Sequence, residues 1–307
     1  MKRSLLLLIP VLFALLIVSC KKDEGEHNTV TPGSGFRSLD EAVNSTAPQP
    51  KNTSLSVSSG DTLFGPGGTK FIIPPNVFET MTGGKVTGSV KITVQDWLKK
   101  GDMVFGRVLP TSFGNALQSG GEAFIQITQN GQVLRIRKDT FITVLFPQFG
   151  TGVAGMSGWV GRTMVGSANT VNWLPADPGL LTPSDIFDTI SVRADTLHYI
   201  QAALPYTVSY GNFVVRLNSP VVLEQSMAVV LIDGVKSVYP LPSAQNGQVN
   251  AISAPTGVPV HIAVMGINQG QFFGGIVAVE SPANDSTYSV TMKAMEPPTL
   301  RLEMNLL

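Results

Sequence analysis

The stretch "SVKITV" at residues 89–94 sets Val90, Ile92 and Val94 against Ser89, Lys91 and Thr93. Successive side chains of an extended strand face opposite sides, so this alternation predicts a strand with one face in a core. The pattern returns in "QVLRIR" (132–137), where Leu134 and Ile136 alternate with Arg135 and Arg137. "TGGK" at 82–85 and "QNGQ" at 129–132 are hairpin signals, because Gly and Asn tolerate the positive φ of tight primed turns. "FITVLF" (141–146) is apolar on both faces and predicts a central strand that Pro147 ends.

The second half repeats the style. "SMAVVLI" (226–232) runs into Asp233-Gly234, a turn leading to "VKSVYPL". In "VPVHIAV" Val260, Ile262 and Val264 share a face, and "YSVTMKAM" does the same for Tyr288, Val290, Met292 and Ala294. "LRLEMNL" alternates Leu300, Leu302, Met304 and Leu306 with Arg301, Glu303 and Asn305, which predicts a last strand. "QNGQV" occurs at 129–133 and again at 245–249, a repeat that two independent type I′ hairpins explain. Short strands between Gly, Pro and Asn turns, with almost no helical periodicity, predict an all-β protein of two tandem β-sandwiches. A Gly-rich stretch (148–179) has room for a hairpin around Ser167-Ala168-Asn169. The Pro, Gly and Asp cluster at 177–184 then predicts a boundary, giving an N-terminal sandwich over 57–180 and a C-terminal one over 181–307.

At the N-terminus, Lys2 and Arg3 precede an apolar run from Leu5 to Val18, then Ser19 and Cys20. This is the grammar of a secretory signal, and the run is too short to favour a permanent transmembrane helix. Ile17-Val18-Ser19-Cys20 resembles the lipobox of bacterial lipoproteins. The resemblance implies a signal peptide over 1–19, cleavage before Cys20, a diacylglycerol on its sulfur and an acylated amino group. Several acyl chains anchor stably where one is marginal, at about 0.8 kcal/mol per buried methylene. The membrane, reached through this lipid, is therefore an expected partner.

Cys20 is the only cysteine, so the body forms no disulfide and no Cys-based metal site. Lys21 stands where an aspartate would resemble an inner-membrane retention signal, so the expected address is the outer membrane, facing the cell surface or the periplasm. "KKDEGE" (21–26) resembles the charged tether that some Gram-negative lipoproteins use for transport to the surface; a solvated spacer explains it equally well. Residues 20–56 are polar and rich in Ser, Thr, Asn, Gly and Pro, which predicts a flexible lipidated tether with room for one helical turn in "FRSLDEAVN". Cleavage before Cys20 leaves 19 basic against 21 acidic residues and no basic stripe, so nucleic acid is not an expected partner.

The stretch "GDTLFGPGGTKFIIPPNVF" (60–78) joins a glycine pair, an apolar strand and "IPP". It is similar to the opening of ZU5-type β domains, over residues 57–147 at most. The resemblance implies a β-sandwich used for interaction with other proteins. ZU5 domains that cleave themselves do so at a His-Phe-Ser-like site, whereas the histidines here sit in "EHN", "LHY" and "VHI", so self-cleavage is not implied. On the residues alone, Gly67 and Gly68 form a turn and Pro74 and Pro75 end a strand.

Catalytic patterns are sparse. Gly155-Met156-Ser157-Gly158 is followed by Trp159, so a nucleophile elbow fails at its last position. His198 and His261 fall on predicted strands, and a hydrogen-bonded structural role is the favoured reading for His261. No His pair, Asp-rich loop or phosphate loop has the spacing of a metal or nucleotide site, so no metal or other cofactor is expected.

Trp159 and Trp173 flank the Gly-rich hairpin, and Phe272 and Phe273 precede a glycine pair. If exposed, these rings would stack on sugars; packing in a core is the competing reading. Four Asp-Ser/Thr tripeptides resemble acceptors of a general O-glycosylation system of exported proteins, which implies glycans on Thr62, Thr189, Thr196 and Ser286. A common turn-to-strand junction explains them too. These features point to a non-catalytic binding protein for a protein or glycan partner. The alternatives are a hydrolase of polysaccharide or peptide with an unlocated site, and a structural subunit recognising partners through strand edges.

Overall fold

In the computed structural model the alternating stretch lies within strand Ser89–Trp97, with Val90, Ile92 and Val94 buried and Ser89 and Lys91 exposed. The structure describes residues 35–307 apart from 139, 148–154, 164–170, 177–180, 184–186 and 194–197; for 181–183 and 187–193 the description is of backbone only. The protein is all-β, with three short helices among the described residues. Residues 36–307 form one compact unit.

The first sheet follows the order Lys51–Ser56, Ser89–Trp97, Asn115–Gln129, Tyr199–Pro205, Ser157–Thr163, Val171–Pro175, with every neighbour antiparallel. The second runs Leu181–Pro183, Phe187–Arg193, Phe141–Pro147, Lys70–Ile73, Asp61–Phe64. Phe71, Val144 and Phe146 of the second sheet share a buried cluster with Val90, Ile92, Ile125 and Ile127 of the first. "FITVLF" is the central strand of its sheet, ending at Pro147 as its composition predicts. Asn130 (φ 51°) and Gly131 (φ 79°) make the turn after Gln129, and Asn246 (φ 52°) and Gly247 (φ 74°) make the matching turn of the second "QNGQ".

Residues 209–294 build two more sheets. One is Gln248–Thr256, Ser209–Asn218, Ser286–Thr291, the last pair being parallel; the other is Ser237–Leu241, Gln225–Ile232, Val260–Asn268, Gln271–Val279, Lys293–Ala294. Phe213, Val215, Val249 and Val290 pack against Ala228, Val230, Ile262 and Val264. The opposite face of the same central strands is also covered. Val229, Leu231, Ala263 and Met265 join a third cluster with Trp97, Leu117, Trp159 and Trp173 of the first sheet. Three helices complete this middle layer: α1 (Leu39–Asn44) through Leu39, Ala42 and Val43, α2 (Lys100–Gly106) through Met103, Val104 and Phe105, and α3 (Pro297–Asn305) through Leu300 and Met304.

Three expectations are corrected. First, the tether does not run to residue 56. Lys51–Ser56 is an edge strand paired with Ser89–Trp97, and α1 is folded into the middle layer. Ser38 caps α1, its Oγ accepting from Glu41 N at 3.1 Å, while Glu41 reaches back to Arg37 N at 2.8 Å. Second, the cluster at 177–184 is no boundary. Phe187–Arg193 pairs with Phe141–Pro147 and Tyr199–Pro205 with Asn115–Gln129, so sheet membership changes only after Pro205.

Third, "LRLEMNL" is α3, not a strand. Pro297 in the first turn suits a helix start, because its missing N–H would have had no partner there. Leu300 and Met304, four apart, are fully buried, whereas Leu302 and Leu306 are 61% and 80% exposed. Gly274 lets α3 approach, since a Cβ there would lie 2.9 Å from Leu300 Cδ2. Leu300→Ala is expected to cost about 2–5 kcal/mol in urea unfolding, and Leu302→Ala less than about 0.5 kcal/mol. A strand of period two would give the two substitutions similar costs.

Candidate functional site

α2 stops where the backbone turns left-handed at Arg107 (φ 55°, ψ 30°), whose N–H bonds back to the carbonyls of Met103 and Val104. Val108 N also returns to Met103 O at 3.0 Å. This closure of a helix normally uses glycine, because a side chain in that conformation crowds the backbone. Here an arginine occupies it, and its side chain is only 12% exposed.

Arg107 lines a pocket of about 300 Å³ between α1 and the strands Gln225–Ile232 and Ser237–Leu241. The apolar walls are Leu39, Leu109, Met227, Ala228, Pro240 and Leu241. Two polar side chains on the rim are already engaged: Gln225 Oε1 accepts from Leu39 N at 2.8 Å, and Ser226 Oγ accepts from Ala244 N at 2.7 Å. The guanidinium Nη2 donates to Asp40 Oδ1, and Asp40 is 61% exposed. Arg107 Nε is buried without a hydrogen-bond partner. Apolar walls around a single charged donor are what a pocket for a small amphipathic group requires.

A second recess, about 530 Å³, opens between residues 45–49, Pro66-Gly67, Asp96 and α3. Its carboxylates are committed to structure. Asp96 accepts from Gly67 N at 2.7 Å and Thr69 N at 3.0 Å, holding the glycine turn between Asp61–Phe64 and Lys70–Ile73. Asp102 Oδ1 accepts from Arg301 Nε and Asn305 Nδ2, both at 2.9 Å, which fastens α3 to α2. His261 Nδ1 lies 2.7 Å from Asp233 Oδ1, a hydrogen-bonded position like the one its strand pattern favoured.

On the face of the first sheet that lines the middle layer, Trp97, Glu122, Gln201 and Trp159 stand opposite one another on four adjacent strands. Glu122 is wholly buried and its Oε1 accepts from Gln201 Nε2 at 3.0 Å. Burial pushes its carboxyl well above the usual carboxylate range, the nearby Lys236 ammonium opposing part of that push.

The four rings named as stacking candidates are corrected: all are buried. Trp159 Nε1 donates to Ala203 O at 3.0 Å, and Trp173 Nε1 to Leu109 O at 2.9 Å. Phe272 packs in the middle layer and Phe273 in the C-terminal core, on opposite faces of one strand. Trp159, Trp173 and Phe272 are covered in the middle layer and Phe273 by the facing sheet, so none reaches solvent. Thr62 and Ser286 are half-buried, each at or near the start of a strand; Thr189 pairs with Leu145 and Thr182 within its sheet. Cys20 and Thr196 lie outside the described residues.

Arg107 carried no sequence signal, because nothing in "VFGRVLP" announces a left-handed arginine. No group of three metal-ligating side chains occurs among the described residues, and none of their helices is long and apolar enough to cross a membrane. No protein-family model matches the chain, and comparison with curated proteins finds no match.

The folded protein keeps a proton on Glu122 that the unfolded chain releases above pH about 4.5. Stability should therefore be full below that pH and fall as pH rises toward the folded pKa, by at most about 1.4 kcal/mol per pH unit. Urea titrations of Glu122→Gln should lack this slope. An identical slope in the variant would assign the pH dependence to other groups.

Proposed function

We propose that the chain is a lipid-anchored envelope protein that binds a partner near the outer membrane without transforming it. Lipid on Cys20 holds it there, and residues 21–35 link the anchor to the folded body. The Arg107 pocket is the observation that carries the binding reading. It combines apolar walls, one buried and incompletely bonded charge, and a backbone conformation unfavourable for arginine. Strained residues of this kind concentrate where a fold holds a ligand. The carboxylates of the larger recess, by contrast, are occupied in fastening the glycine turn and α3. This favours recognition over hydrolysis, and the ZU5-like resemblance of residues 57–147 points the same way.

Protease shaving of intact cells tests the address, comparing the natural chain with Cys20→Ala. Rapid loss of the natural protein, with the variant released or mislocalised, is the expected outcome for a surface-exposed body. Protection until the outer membrane is broken would place the body in the periplasm. Unchanged fractionation of Cys20→Ala would remove the lipid anchor from the proposal.

A further inference from the structure

We propose that the pocket beneath α1 is a receptor site for an aliphatic carboxylate, whose charged end bonds Arg107 and whose chain lies on Met227 and Leu241. The inference rests on the binding reading above and deepens it by naming a ligand class.

The backbone supplies the first reason. Glycine is the ordinary residue at this left-handed helix end, and Arg107 occupies it with φ at 55°. Other non-glycine residues, Phe113 and Gln269 among them, share a left-handed φ, so the backbone permits arginine here without requiring it, and the side chain's surroundings carry the argument. The second reason is hydrogen bonding. Arg107 Nε is buried without an acceptor, and a desolvated guanidinium N–H gains most from an anionic one. Nη2 meets only Asp40, which is 61% exposed on a six-residue helix. Rotation of Asp40 into water frees Nη2 beside Nε, and these two donors form a planar fork that matches a carboxylate.

The walls select the rest of the ligand. With Asp40 turned away, one guanidinium among apolar side chains suits a monoanion with a hydrocarbon body better than a phosphate or a sugar. Gln225 and Ser226 are already bonded to the backbone and offer little to a polar chain. A volume of about 300 Å³ suits a short chain. A free short-chain fatty acid and a peptide ending in an aliphatic residue both present this chemistry.

The test uses the full-length chain carrying Cys20→Ala, labelled with ¹³C at the methionine methyls. Hexanoate, hexanamide and acetyl-Ala-Leu with a free carboxylate are titrated separately. Hexanoate is expected to move the Met227 methyl resonance, and hexanamide to bind at least about tenfold more weakly because it forfeits the charge-assisted bonds. Arg107→Gly keeps the favoured backbone and should lose at least about tenfold in hexanoate affinity. Arg107→Lys retains charge without the fork and should fall between. Asp40→Asn removes the competing carboxylate and should bind hexanoate more tightly. Unaltered methionine resonances away from the pocket show that each variant is folded.

Tighter binding of acetyl-Ala-Leu than hexanoate would identify a peptide terminus as the source, and the reverse a free acid. Equal binding of hexanoate and hexanamide at Met227 would overturn the carboxylate while leaving the pocket as a binding site. Hexanoate binding unchanged by Arg107→Gly would overturn the role of the arginine. Failure of all three probes to move Met227 would overturn the ligand class, and the binding reading would lose its site as well.

Discussion

The two-sided burial of strand Gln225–Ile232 is the constraint on which the rest of the structure depends. Ala228, Val230 and Ile232 face the C-terminal core, while Val229 and Leu231 face the middle layer. A strand apolar on both faces needs a cover on each, and the second cover is the outer face of the first sheet with three helices between. Hydrogen bonds fix how the cover sits. Lys100 Nζ, at the start of α2, donates to Ile232 O at 2.6 Å, and burial lowers the pKa of this amine. Lys236 Nζ donates to Gly120 O at 2.7 Å, and Ser119 N to Lys236 O at 2.8 Å. The two pairs of sheets thus share an interior, and residues 36–307 are compact as a whole.

That interior also creates the pocket. α2 has to end where the strands Gln225–Ile232 and Ser237–Leu241 approach α1, and its last turn leaves Arg107 at their junction. Backbone bonds from Arg107 to Met103 and Val104 fix where its side chain starts, and Asp40 holds the guanidinium until it is displaced. The larger recess arises from the same packing but spends its charges differently. Asp96 and Asp102 are taken up by the glycine turn and by α3, so its carboxylates are already paired with donors.

Much of this was legible in the chain. Alternation located the strands, because a half-buried strand is the one element that demands period two, and Asn-Gly located two turns. The helices were obscured for separate reasons. In α3, Leu300, Leu302, Met304 and Leu306 satisfy period two as well as the four-residue spacing of a helix, and only Pro297-Pro298 ahead of Leu300 argues for the latter. In α1 the segment had room for a helical turn, but its overall polarity concealed that the turn packs into the body and that Ser38-Leu39-Asp40-Glu41 has the spacing of a capping box. The rings were left between stacking and core packing, because a glycine pair near an aromatic does not reveal whether the sheet face beyond it is covered; the structure settles on packing. The site itself was illegible: its defining property is a left-handed φ at an arginine, and no pattern of residue types encodes that.

The position of α3 in the chain has a consequence for how the molecule is made. A polypeptide emerges from a ribosome N-terminal end first, and α3 follows every described strand. The first two sheets have all their strands once Pro205 has emerged, yet their outer aromatic face, with Trp97, Trp159 and Trp173, waits for partners about 25 to 100 residues further on. Throughout that interval a greasy surface is presented without its lid. A partly made chain with such a surface uncovered is prone to associate, and its cover is complete only when Leu300 and Met304 dock.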